Sequence, residues 1–278
     1  MTTFAPNELE YCRRLIHETA GLCMDERKDY LFESRLRGLF EEFGLKNPSE
    51  LVQRLQRPES TDLRARVVDA MTTNETSFFR DVHPFDALRE QVLPELIEAR
   101  RDRRQLDVWC GASSTGQEPY TLAMVLRAAA PELQSWRVRV LATDLSERVL
   151  TKARSGWYSD VEVGRGLPEE LRVRFFERDG VGWRVRAEVR DMVEFRQMNL
   201  TTAWPPLARM DIVFLRNVLI YFDVETKKRI LGKIHDLLAP DGYLCLGTAE
   251  TVLGIREDFR PARRGRATFY TPIPVHVG

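Results

Sequence analysis

From residue 106 onward the chain alternates short β-rich apolar runs with helical segments, a rhythm that few folds accept. The runs occupy 106–110, 138–143, 193–198, 211–215, 243–247 and 267–271. Helices are expected from about 117 after the first run, from 146 after the second, and over 224–238 between the fourth and fifth. Strands separated by helices pair in parallel through right-handed crossovers, which predicts a doubly wound α/β sheet. Residues 157–196 break the rhythm. There Trp183-Arg-Val-Arg-Ala-Glu-Val189 alternates with period two, which predicts a small antiparallel β insertion.

The first hundred residues carry a different period. Phe32, Leu36, Leu39, Phe40 and Phe43 fall on one face of a helix, with Gly44 placed as its stop. Pro48-Ser49 starts another helical stretch, and Ser60-Thr61-Asp62 can cap a third that runs to about Met71. A long amphipathic segment over 84–104 ends in Arg100, Arg101, Arg103 and Arg104, charges that suit a helix C-terminus.

Composition narrows the function classes. With 43% hydrophobic and 30% charged residues in 278, the chain is an ordinary globular one with no case for disorder. No apolar run approaches the roughly 18 residues of a membrane span, so no membrane insertion is expected. The opening MTTFAPNELEYCRR lacks the basic-then-apolar order of a secretory signal. Cys12, Cys23, Cys110 and Cys245 are scattered, with no pairing that suggests zinc or a redox dithiol. The expectation is a cytoplasmic protein with reduced thiols and no metal. A formal net charge of zero counts against nucleic acid as a partner.

In an open α/β sheet ligands bind beyond the carboxyl ends of the strands, so the informative residues are those that follow each run. After the first comes Gly111-Ala-Ser-Ser-Thr-Gly116, small residues that let a ligand approach the backbone. The glycines are five apart and no Gly-Lys-Ser/Thr follows, so this is neither a dinucleotide fingerprint nor a P-loop. Glu118 opens the next helix, where a diphosphate would otherwise sit on the positive dipole. A carboxylate there repels phosphates and suits a cationic ligand; Thr115 and Glu118 also fit a plain capping box. Asp144, at the end of the second run, stands where an acidic residue takes ribose hydroxyls; alternatively, either Asp144 or Ser146 simply caps the following helix. Asn199-Leu200 offers an amide beside an apolar surface, suited to an adenine edge and face. Arg216-Asn-Val-Leu-Ile-Tyr-Phe222 brings an arginine, an amide and a tyrosine to the fourth strand end, although Tyr221 beside Phe222 is also compatible with packing. Upstream, Thr72, Thr73, Asn74, Thr76 and Ser77 cluster ahead of Phe78, Phe79 and Arg80, as in an anchored loop that presents a guanidinium.

Taken together, TTNETSFFRD, VWCGASSTGQEPYTLAM, LATDLS, MNL and LRNVLIYF stand in the order and spacing of one family. Over nearly its whole length the chain resembles the chemotaxis receptor glutamate methyltransferases, the CheR type. The resemblance implies an all-helical N-terminal domain over 1–72, a linker and cofactor-contacting loop over 73–84, and a Rossmann-like methyltransferase domain over 85–278 with a small β subdomain at about 157–197. It implies S-adenosylmethionine as cofactor, with S-adenosylhomocysteine as product. Carried over residue by residue, the cofactor contacts are Asn74, Thr76, Arg80, Glu118, Asp144, Asn199, Leu200, Arg216 and Asn217. Arg80 and Tyr221 are the catalytic candidates, Tyr221 beside the transferred methyl. Lys28, Arg35 and Arg37 are the candidates for docking an acidic helical substrate, although Glu33, Glu41 and Glu42 nearby allow them to be ordinary balanced surface charges.

The implied partner is the cytoplasmic helical domain of chemoreceptors, met by a monomer. Two departures stand out. Gln117 occupies the first of the two acidic positions of a Gly-Glu-Glu-Pro-Tyr pattern and leaves Glu118 as the acidic one. The insertion ERDGVGWRVR is short, like that of the branch that works without a C-terminal receptor tether. Glutamate is ionised near pH 7, so its methylation requires no general base. Two other functions fit the same motifs: a non-catalytic cofactor-binding or docking module, and a methyltransferase for another acceptor.

Overall fold

The computed structural model describes residues 3–129 and 131–274, and the chain divides into two compact units. Residues 1, 2 and 275–278, which the expected domains include, lie outside the described residues, as does the start of the N-terminal reading. One unit comprises 1–73 together with 221–226, and the other comprises 74–220 with 227–278.

Among the described residues the first unit holds the α-helices α1 (Pro6–Ala20), α2 (Tyr30–Glu42), α3 (Pro48–Leu55) and α4 (Thr61–Met71). Helix α2 carries the periodic run as far as Glu42, with Phe43 as its C-cap, and is preceded by a separate 3-10 turn, Glu26–Lys28, in which Asp25 accepts Arg27 N–H. Phe32, Leu36 and Leu39 are buried, whereas Phe40 and Phe43 are half-buried. Asn47 caps α3 through Glu50 N–H. Ser60 stands at the N-cap position of α4, but its side chain makes no capping hydrogen bond. Leu22 and Phe222 form an antiparallel bridge, extended by Cys23 N–H donating to Tyr221 O at 2.8 Å.

The second unit begins with α5 (His83–Ala87), a π-helical turn (Leu88–Val92) and α6 (Leu93–Ala99). The expected single helix is thus irregular and ends before the basic run. Arg100 and Arg103 do not serve a helix dipole. Arg100 Nε and Arg103 Nη2 donate to the buried Asp211 carboxylate at 2.8 and 2.6 Å, so the run anchors the foot of the sheet. There follow β1 (Gln105–Gly111), α7 (Gln117–Ala129), β2 (Arg137–Asp144), α8 (Glu147–Ser155), β3 (Trp157–Ser159), α9 (Asp160–Gly164), α10 (Glu169–Phe175), β4 (Phe176–Asp179), β5 (Gly182–Val185) and α11 (Ala187–Arg190). Then come β6 (Val193–Gln197), β7 (Met210–Leu215), α12 (Val224–Leu237), β8 (Leu238–Leu246), β9 (Phe259–Arg264) and β10 (Ala267–Pro272).

The main sheet has seven strands in the order β6-β2-β1-β7-β8-β10-β9. The first five are parallel, and the order reverses about β1, which makes the sheet doubly wound. At the far edge β10 runs antiparallel to both β8 and β9. The sixth predicted strand is therefore not parallel, because no helix separates β8 from β10, and β9 was not anticipated. Its sequence, FRPARR, is too charged and Pro-interrupted to read as a strand, and it lies on the edge, where Pro is tolerated. The core stacks Phe85 on Phe214 at 5.8 Å and sets Phe269 edge-on to Phe214. The insertion forms a three-stranded antiparallel sheet, β3-β5-β4. Its period-two pattern stops at Val185, and residues 187–190 turn helical instead of extending the strand.

Candidate active site

The carboxyl ends of β1, β2 and β7 meet at the switch point of the sheet, and the side chains there are ionic. Arg216, immediately after β7, is fully withdrawn from solvent. Its Nη1 donates to Glu118 Oε2 at 2.6 Å, and its Nη2 donates to Asp81 Oδ2 at 2.6 Å and to Arg80 O at 3.0 Å. Burial works against the charged guanidinium, yet Glu118, Cys245 and Asp81 beside it hold its pKa above the usual value. Cys110 Sγ faces Glu118 Oε1 at 3.4 Å; burial first, then Glu118, pushes that thiol well up and keeps it neutral. Thr115 Oγ1 meets Gln117 Oε1 at 2.8 Å while Glu118 is committed to Arg216, so these contacts do not make a Thr115–Glu118 capping box.

Asp144 ties two loops together. Its Oδ2 accepts Ser114 N–H at 2.8 Å and its Oδ1 accepts Ser146 N–H at 3.0 Å. Ser146, not Asp144, caps α8, by accepting Val149 N–H. Met198 N–H donates to Asp144 O at 2.9 Å, which brings the Asn199-Leu200 turn alongside. Asn199 Oδ1 is engaged by Thr201, and Leu200 O by Trp204 Nε1 and Lys233 Nζ. Ser114 Oγ donates to Asn74 O at 2.8 Å, which joins the upstream loop to the same cluster.

That upstream loop is anchored as its aromatics suggested. Phe78 is buried edge-on to Tyr158 and Phe176, and Phe79 packs on Phe85. Arg80 is half-buried, with Nη1 on Glu75 O at 3.1 Å, and Thr76 is half-buried in the same loop. Backbone strain gathers here. Phe79, Asp81 and Val82, then Ala112 and Ser114, then Asn217 all have positive φ without being glycine. Such conformations cost energy and concentrate where a structure is organised around a ligand. Gly116, at φ +96, has no room for a side chain: a Cβ would stand 2.8 Å from both Ala153 Cβ and the Tyr158 hydroxyl.

The donor set suits S-adenosylmethionine. Asp81, Glu118 and Asp144 outnumber Arg80 and Arg216, an acidic balance that favours a cationic sulfonium over a phosphate. Among the described residues, Ser113 Oγ and Arg216 Nε are buried with no hydrogen-bond partner, which is costly unless something else meets them.

The remaining predicted residues belong to the first unit. Tyr221 is half-buried in the bridge to Cys23. Lys28 and Arg37 are exposed, whereas Arg35 is half-buried and donates to Met71 O, Thr72 O and Thr73 Oγ1 at 2.8, 3.1 and 3.2 Å. Its guanidinium thus holds the end of α4, a role the exposed-patch reading did not anticipate. Among the described residues one group of metal-ligating types gathers, His17, Cys23 and Asp223. His17 Nε2 and Asp223 Oδ2 are already joined at 2.9 Å, which accounts for two of the three as a hydrogen-bonded pair. Asp81 was missed by sequence reasoning although it adjoins Arg80, because nothing in a single sequence pairs it with Arg216.

Comparison with known proteins agrees with this geometry. Residues 74–267 match the family model described as CheR methyltransferase, SAM binding domain, and residues 7–72 match that of the CheR methyltransferase all-alpha domain. The chain is 43% identical to chemotaxis protein methyltransferase 1 of Pseudomonas aeruginosa, over 91% of this chain and 93% of that protein. It is 42% identical to chemotaxis protein methyltransferase Cher2 of Pseudomonas putida over the same shares. With chemotaxis protein methyltransferase 1 of Vibrio cholerae it shares 38% identity, over 97% and 99%. A helical domain ahead of a doubly wound sheet, ionic residues gathered at its switch point and both family models in register lead to one conclusion: the chain belongs to the CheR methyltransferase family of S-adenosylmethionine-dependent enzymes.

Proposed function

We propose that the chain transfers a methyl group from S-adenosylmethionine to glutamate side chains of chemoreceptors, forming methyl esters in sensory adaptation. The observation that carries this reading is the buried Arg216–Glu118 ion pair, which also reaches the exposed Asp81, beside Asp144 at the switch point of the sheet. The relatives named as chemotaxis methyltransferases, aligned over more than nine-tenths of both chains, support the receptor as substrate.

When bound, S-adenosylmethionine would supply an electrophilic methyl for an acceptor carboxylate oxygen, with S-adenosylhomocysteine as the leaving group. The chain's own residues supply binding and alignment. Asp144 takes the ribose hydroxyls, and Asn199 and Leu200 take the adenine edge and face. Asn74, Thr76, Glu118, Arg216 and Asn217 hold the remainder. Arg80 orients a carboxylate, and Tyr221 donates a hydrogen bond to the acceptor oxygen. A glutamate with a pKa near ~4.3 arrives ionised, so rate enhancement comes from alignment and exclusion of water rather than proton transfer.

In this reading residues 1–72 form a receptor-facing helical domain in which Lys28, Arg35 and Arg37 meet an acidic helical surface. Residues 73–84 form the cofactor-contacting loop, and 85–278 form the catalytic domain. The tight turn at Gly180-Val181 between β4 and β5 favours a receptor met without a C-terminal tether.

The test is transfer of label from methyl-labelled S-adenosylmethionine to membranes that contain chemoreceptors, followed by mild alkali. Volatile label released by alkali, and absent with Asp144→Ala, is the expected result. Alkali-stable label moves the acceptor away from a carboxylate.

A further inference from the structure

Glu250 lies three residues beyond Gly247, just past the end of β8, and the mechanism above gives it no task. Its Oε2 accepts the backbone N–H groups of Asn217 and Gly247, both at 2.7 Å, and its Oε1 accepts that of Ile220 at 3.3 Å. One carboxylate therefore closes the loops that follow two neighbouring parallel strands, β7 and β8. Charge-assisted bonds of this kind are the strong ones, and one of the two shorter ones here falls on Asn217, whose φ of 59° an L-residue rarely adopts. Gly247 makes room for the arrangement. A Cβ there would stand 2.7 Å from Glu250 Oε2 and 2.8 Å from both Asn217 N and Asn217 Nδ2. The absence of a side chain at 247 is thus what lets the carboxylate sit against the backbone of Asn217.

We propose that Glu250 is a positioning residue: seated against Gly247, its carboxylate fixes the strained Asn217 backbone and so aims the Arg216-Asn217 pair at the cofactor. The proposal rests on the reading that this pair serves S-adenosylmethionine. A carboxylate that merely stiffened a loop would affect stability uniformly, whereas a positioning residue acts on affinity through its neighbour.

The experiment is calorimetric titration of the full chain with S-adenosylhomocysteine, joined to amide hydrogen exchange at Asn217 and Gly247. Glu250→Gln keeps the shape but removes the charge from the bonds that its one remaining oxygen can accept and turns an NH2 toward the N–H donor on the other side. It should weaken binding by about tenfold, the loss expected for one bond to a charged group, and should speed exchange at both amides. Gly247→Ala, which displaces the carboxylate from the other side, should do the same. Combined with Asn217→Ala, Glu250→Gln should cost less than the product of the two separate fold-changes. Wild-type affinity in Glu250→Gln overturns the proposal, as does the same fold-loss with and without Asn217→Ala. No binding by the wild-type protein overturns the cofactor reading and this proposal together; binding by wild type with an unaffected Glu250→Gln overturns this proposal alone.

Discussion

Arg216 shows how far a single residue can be committed. Its side chain has no exposure, and the Glu118 carboxylate it meets is only 13% exposed. Removal of one partner of a buried ion pair leaves an uncompensated charge and typically costs about 3–5 kcal/mol. Arg216→Ala should therefore lower the melting temperature by on the order of 10 °C for a chain of this size, measured by calorimetry without ligand. Arg216→Lys should recover little of it, because one ammonium cannot reproduce the planar fork that reaches Glu118, Asp81 and Arg80 O together. An unchanged melting temperature in Arg216→Ala would mean that the network contributes nothing to the fold. Tyr221 calls for the opposite signature. If its hydroxyl aligns the acceptor oxygen, Tyr221→Phe should lower kcat by about tenfold or more with S-adenosylhomocysteine affinity unchanged. Steady-state rates paired with a ligand titration separate the two, and an unaltered kcat would remove Tyr221 from the catalytic step.

Between elements, the decisive links are short polar ties at loop ends. Asp144 holds the loop after β1 through Ser114 N–H and the start of α8 through Ser146 N–H. Asp144→Ala should therefore weaken S-adenosylhomocysteine binding by about a hundredfold and also speed amide exchange at Ser114; loss of affinity with unchanged exchange would limit Asp144 to a direct ligand contact. Asp223 is a tie of the same kind at the start of α12, with Oδ1 on Thr226 N–H and Oδ2 on His17. The His17 side chain first, then the Thr226 N–H, hold its carboxyl down at about 2. An unfolded Asp titrates near ~3.9, so the stability this group adds is present above about pH 4 and fades as pH falls toward about 2. Wild type and Asp223→Asn should thus differ in melting temperature at pH 5 and converge on acidification; a gap that stayed constant would assign the effect to shape rather than charge. The α/β rhythm, the small antiparallel insertion and the strand ends were legible because periodicity and the switch-point rule operate within a short window of sequence. Edge strand β9, the structural use of Arg100 and Arg35, and the pairing of Asp81 with Arg216 were not. The two arginines and Asp81 depend on partners far along the chain, and Arg100 and Asp211, 111 residues apart, carry no mutual signal in one sequence, whereas β9 pairs with nearby β10 and was hidden by its own charged, Pro-interrupted sequence. Glu250 was within reach, since it follows a predicted strand, but its partners are backbone N–H groups that any residue would offer.

For the molecule as a whole, net charge says little about a partner. The formal charge is zero, so attraction to an acidic helical surface has to come from local charge. Of the three basic candidates, Lys28 and Arg37 are exposed, whereas Arg35 is occupied with the carbonyls at the end of α4. Reversal of Arg35 would strand those carbonyls and disturb the helices, which confuses docking with folding. The cleaner probe is Lys28→Glu combined with Arg37→Glu, since neither side chain is buried. If these residues dock the substrate, receptor methylation at low salt should fall by about tenfold or more. The deficit should shrink as ionic strength rises and the Debye length drops from about 10 Å at 0.1 M toward about 3 Å at 1 M. S-adenosylhomocysteine affinity and melting temperature should stay at wild-type values, because the substitutions remove no bond the fold uses. A salt-independent deficit would indicate a steric role for α2 rather than an electrostatic one. Full activity at low salt would move the docking surface away from these two residues.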